Sequence, residues 1–237
     1  MDIVLTPKQV TRFFALTVIF LTLAHLAGQF STYVLGYDNI FGIIPMFSLN
    51  REENIPALYS TLSLLFCGLL LAIIAAGKNR KRAAYRYHWA GLAAIFIYLS
   101  MDEALSFHES STRPLRSALN TEGALFYAWI IPYSIGLVLL LLIYIKFILD
   151  MPSKTRSLLL LAGIVFVAGA IGMELVAGPH DAQFGRDNPV YSLYSTIEEV
   201  LEMSGIVIFI YALLSYITSE LNEVRITISD FPERGSF

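Results

Sequence analysis

The sequence predicts an all-α polytopic membrane protein, a bundle of six transmembrane helices. Three observations carry this. Hydrophobic residues make up 56% of the chain and charged residues 15%, with a mean hydropathy of +0.64, whereas an average soluble domain is roughly 25% charged. The apolar residues gather in six runs, at 13–33, 56–76, 89–108, 127–148, 157–177 and 197–217, each of about 20 residues and able to cross a hydrocarbon core of about 30 Å. The bases are sorted, since twelve of sixteen fall on one side of the chain's successive crossings.

The first run opens at Thr6-Pro7 with Gln9 three residues on, which has the form of a capping box with proline at the first helical position. It is too long for a signal-peptide core and lacks a small-residue cleavage site, so it is expected to be a retained helix. Thr22, His25, Gln29 and Thr32 share one face of it. The second run holds Ser60, Thr61, Ser63 and Gly68, suited to helix packing. It also holds Cys67, the single cysteine, which rules out an intramolecular disulfide and a thiolate metal site.

The third run ends in Asp102, Glu103, Ser106, His108 and Glu109. On a continuous helix Asp102, Ser106 and Glu109 share a face, Glu103 points about 100° away, and His108 takes a third direction. The fourth run contains Pro132, which predicts a kink. In the fifth, Ala168, Gly169 and Gly172 offer a small-residue surface for close approach, and Glu174 sits about one turn inside its end, within reach of water by snorkelling. The sixth starts at Asn188-Pro189, and its acids Glu198, Glu199 and Glu202 stand at helical spacings that let them converge.

Lys8, Arg12, Lys78, Arg80, Lys81, Arg82, Arg86, Lys146, Lys154, Arg156, Arg225 and Arg234 lie on one side; Arg51, Arg113, Arg116 and Arg186 lie on the other. By the positive-inside rule both termini are expected to be cytoplasmic, with 34–55, 109–126 and 178–196 facing outward. Residues 1–237 are expected to form a single six-helix domain, with no soluble catalytic domain and no transporter-type repeat. Nothing points to nucleic acid, the formal net charge being −3.

The chemistry lies in the ionisable residues within the runs. Each charge inside a bilayer costs roughly 2.5–3.5 kcal/mol on insertion scales, so several at similar depth mark a functional site. No Lys or Arg occupies the outer half of a run to balance them, which leaves protonation, bound cations or a water-filled cavity. Carboxylate and imidazole donors suit iron, manganese or zinc. The first expectation is therefore a metal-dependent membrane enzyme with His25, Asp102, Glu103, His108, Glu174, Glu199 and Glu202 as candidate ligands, the choice between Glu198 and Glu199 being open. A lipid or isoprenoid substrate fits a chain without a soluble domain. The Glu-x-x-His of di-iron bundles is absent. Two alternatives stand beside it: a proton- or cation-coupled transporter or channel, and an accessory subunit whose acids pair with a membrane partner's Arg or Lys. Retinal is not expected, for want of a mid-span lysine, nor is haem, for want of a clear axial pair.

The run Asp102-Glu103-Ala104 followed by His108-Glu109 resembles an Asp-Glu-Ala-x-x-x-His-Glu motif of uncharacterised multipass bacterial membrane proteins, with an echo in Asn54-Ile55-Pro56. The resemblance implies that this segment acts as a unit and transfers no activity.

Overall fold

The structure, a computed structural model, describes residues 6–80 and 82–221. Residues 1–5, Lys81 and 222–237 fall outside it, and with them three of the orientation signals, Lys81, Arg225 and Arg234. Among the described residues the chain is helical with no strand. Five helices are individually long and apolar enough to cross a membrane: α1 (Pro7–Leu35), α2 (Ile55–Arg80), α5 (Ile130–Leu149), α6 (Ser153–Phe184) and α7 (Pro189–Leu221). Helices α3 (Arg86–Leu105) and α4 (Phe107–Leu119) pass the same test as a pair bent by 79°, so the crossings number five, or six where the pair is one span.

Helix starts follow local chemistry. Gln9 N–H donates to Thr6 Oγ1 at 3.3 Å while Thr6 N–H donates to Gln9 Oε1 at 3.0 Å, so the capping box closes at the head of α1. Asn54 Oδ1 accepts from Ala57 N–H at 3.2 Å and Asn188 Oδ1 from Tyr191 N–H at 2.9 Å. Side-chain acceptors thus satisfy donors that the first turns of α2 and α7 leave open. Pro132, expected to kink its helix, instead falls in the first turn of α5, where a missing N–H leaves no gap in the ladder.

The third run departs from expectation. Hydropathy predicts one continuous helix from 89 to 108, but α3 stops at Leu105 because Ser106 turns left-handed, with φ 49°. The fifth run departs in the other direction: α6 continues to Phe184, which leaves Glu174 nearly three turns from its end. Just before Glu174 the helix widens into a π-helical turn at Ala168–Met173.

α7 is the axis of the bundle. It packs against α1, α2 and α6, and half of its most apolar stretch is buried, against 17% for α1, α5 and α6. Lipid cannot drive such packing by the hydrophobic effect, so close van der Waals approach must do so. Glycine permits it where α6 crosses α7: a Cβ on Gly205 would stand 2.8 Å from Phe166 N, and one on Gly169 2.8 Å from the Glu198 carbonyl oxygen. Toward the end carrying Lys78 and Arg86, the interior is filled by Leu71, Ile74, Trp89, Phe147, Ile210 and Leu213. Lys78 sits 5.2 Å over the Tyr216 ring at that end. Ile135, Val138, Leu142 and Ile143 of α5 are exposed and suit contact with acyl chains.

Gly205→Ala is expected to force α6 and α7 apart and to lower stability by about 1–3 kcal/mol, the usual cost of overpacking. A thermal-unfolding midpoint in detergent measures this. Gly163→Ala, where nothing lies within 4 Å of the new Cβ, should leave the midpoint unchanged.

Candidate functional site

Asp102 is buried, at 5% exposure, and each of its oxygens is engaged. Oδ1 accepts from the His108 backbone N–H at 3.0 Å and from the Tyr133 hydroxyl at 3.0 Å. Oδ2 pairs with His108 Nδ1 at 2.9 Å. The break after Leu105 makes this possible, because it carries His108 back over the last turn of α3 on the first turn of α4. On the continuous helix expected from sequence the two side chains would point apart. Tyr133 Oη lies 2.7 Å from Tyr98 Oη, extending the network along α3. Two residues before Asp102, Ser100 Oγ donates to the Thr61 carbonyl at 2.8 Å and fixes α3 on α2.

With Nδ1 held by Asp102, Nε2 of His108 is left without a hydrogen-bond partner among the described residues. The ring packs on Trp129 at 4.8 Å between centroids. Acids approach from several elements. Glu103 lies within charge–charge range of Glu52, His108 and Glu109. Glu174 interacts with His108 and Glu109, and Glu198 with Glu174 and Glu109. Glu199 lies within charge–charge range of Glu202, Glu103 and Glu52, and Glu202 within that of Glu198, Glu103 and Glu174. Glu174 does not snorkel. It is 9% exposed, and its Oε2, like Trp129 Nε1 beside it, is buried without a hydrogen-bond partner.

A family model described as "Domain of unknown function (DUF8692)" matches residues 12–217. The chain belongs to that family. Neither the curated proteins nor the solved structures give a match. The matched segment includes all of these acids, His25 and His108.

His25 stands apart from the acids. Its Nδ1 accepts from Leu49 N–H at 3.0 Å, so that nitrogen carries no proton, and Nε2 lies 2.8 Å from Thr196 Oγ1. The Thr196 hydroxyl donates to the Ser192 carbonyl at 2.6 Å, which makes Nε2–H the donor in the other bond. Expected as a ligand, His25 instead spends both nitrogens joining α1, the 47–50 segment and α7. Among the described residues no three His, Cys, Asp or Glu side chains are placed together so as to hold a metal ion. The proposed seven-residue set is therefore not assembled as one coordination shell. His25 and Asp102 are committed to hydrogen bonds.

Sequence spacing missed Tyr133 and Trp129, which join the site from the start of α5, and Glu52, which joins it from the loop before α2. Glu52 precedes α2, and burial, with the charge of Glu109 next, pushes its carboxyl up to about 7. Since the ordinary value is 4.5, the fold favours its protonated form. That contribution is complete below the unfolded value and is lost as pH rises through the folded one. Unfolding midpoints should therefore fall between about pH 5 and about pH 8, and Glu52→Gln should flatten that fall. An unchanged pH slope in the variant would show that Glu52 is no more buried than an ordinary surface acid.

Proposed function

We propose that this chain is a metal-dependent membrane enzyme acting on a lipid-like substrate, with its site at the acidic end of the bundle. The observation that carries the reading is the Asp102–His108 pair. A carboxylate on one ring nitrogen is how metal-ligating histidines are commonly oriented and made more basic, and it leaves Nε2 of His108 free, with Glu174 and Glu109 within charge–charge range of the ring. Asp102 is the positioning residue and Tyr133 steadies it. His108 Nε2 and Glu174 Oε2 have no hydrogen-bond partner among the described residues and are the donors we assign to the metal, with Glu109 and Glu198 within charge–charge range of them; binding would require these side chains to move together, since no ligand set is assembled among the described residues. Iron, manganese or zinc would act there as a Lewis acid on a substrate oxygen or on bound water. The apolar filling toward the basic end blocks passage across the bundle, which favours a one-sided site over a through-route.

Purified without chelator, the protein is expected to hold about one or two equivalents of metal. His108→Ala and Glu174→Gln should lower that content, and His25→Gln should leave it intact. Absence of transition metal from the full-length protein would overturn the reading. The hydrogen-bonded series Tyr98, Tyr133, Asp102 and His108 supports a second reading, proton-coupled transport. Metal-free protein giving pH-dependent flux in proteoliposomes, abolished by Asp102→Asn, would install it. A co-purifying membrane subunit with an intramembrane arginine would favour an accessory role instead.

The site faces outward in this reading, with both termini cytoplasmic in a bacterial inner membrane, as the sorting of Lys and Arg supports. Single cysteines replacing Pro45, Ala118 or Phe184 in a Cys67→Ala background should react with an impermeant thiol reagent in intact cells. Labelling only after permeabilisation would reverse the orientation.

A further inference from the structure

Among the described residues, four Lys and Arg lie at the acidic end of the bundle, Arg51, Arg113, Arg116 and Arg186. Three of them, Arg113, Arg116 and Arg186, line two adjoining clefts between α4, the 120–127 turn and the end of α6. Arg113, Arg116 and Phe126 are common to both clefts, whose volumes are about 590 and 710 Å³, within the usual range of ligand sites. The second cleft also takes in Glu109 and so abuts the site around His108.

The three guanidiniums are not equivalent. Arg186 is spoken for, since its Nε donates to Asp181 Oδ2 at 2.9 Å and its Nη1 lies 3.9 Å from Glu109 Oε1. Asp181 also accepts from the Tyr127 hydroxyl at 2.6 Å. Arg113 and Arg116, three residues apart on α4, form no ion pair among the described residues, Glu122 at the cleft margin included. Arg116 is braced on the Phe126 ring at 4.2 Å. Because α4 leaves α3 at 79°, it lies nearly parallel to the membrane surface where α3 stands across the bilayer, at the end of that crossing. That is the level of lipid phosphates. A surface helix with two unpaired guanidiniums in a cleft of ligand size matches the bidentate demand of a phosphate group.

We propose that the cleft at Arg113 and Arg116 binds phosphate, as the anionic head of an amphiphile whose neighbouring bonds then lie toward His108. As a statement about substrate class this rests on the enzyme reading above; as a binding site it stands independently.

The test is calorimetric titration of the full-length protein in detergent with dihexanoyl phosphatidic acid and, separately, with inorganic phosphate. Saturable binding of the lipid is expected, with R113Q/R116Q weakening it by about tenfold or more and R51Q, which removes the base outside the clefts, leaving it unchanged. R113K/R116K, which keeps the charge and loses the fork, should bind between the two and guards against misfolding of the glutamine pair. Inorganic phosphate binding as tightly as the lipid supports the phosphate site and names the free anion as its source; far weaker binding supports it and names the headgroup. Equal affinity in wild type and R113Q/R116Q, or an equal loss in R51Q, overturns the proposal. Metal content measured on the same preparations separates the two readings. Arginine-dependent binding in metal-free protein sinks the enzyme and keeps the site, whereas a full metal complement with arginine-independent binding does the reverse.

Discussion

The carboxylate of Asp102 is the constraint on which the polar end of this bundle depends. An acid at that depth is tolerated only if its oxygens are filled, and here a backbone N–H, an imidazole and a phenol fill them. The same contacts terminate α3, start α4 at 79° and aim His108. Break geometry and site geometry are therefore one interaction. The left-handed Ser106 is conformationally costly for a residue with a Cβ, and the bonds from Asp102 to His108 across the break offset that cost.

The two ends of the bundle solve different problems. Toward the basic end the helices fill space with large side chains such as Trp89 and Phe147, both nearly inaccessible. Toward the acidic end they carry groups that must be hydrogen-bonded, ion-paired or wetted. Gly169 and Gly205 lie along the contact between α6 and α7. They let two backbones touch without consuming polar groups, so the helices stay registered while their acids remain available.

The crossings were legible in the sequence because a run of about 20 apolar residues is a local property, as are the caps at Thr6, Asn54 and Asn188. The break at Ser106 was not, since nothing in the residue type demands a positive φ; tertiary bonds from Asp102 and Tyr133 select it. Likewise the face carrying His25 was readable from spacing, but its partners Leu49 and Thr196 come from elsewhere in the chain. Depth alone placed Glu103, Glu174 and Glu202 in the same layer. Depth says nothing of rotation, and for that reason it joined His25 and His108 as equals when one is sealed in hydrogen bonds and the other has a free nitrogen.

The π-helical turn at Ala168–Met173 amounts to one extra residue accommodated within an otherwise regular helix. One residue is about 100° of rotation. Everything beyond it, from Glu174 to Phe184, is thus clocked separately from the stretch that docks on α7. One continuous helix thereby presents glycine to its neighbour on one bearing and a carboxylate to His108 on another. Loss of a single residue there would keep the helix whole yet swing Glu174 away from the others, a change of aim that composition and hydropathy would not register.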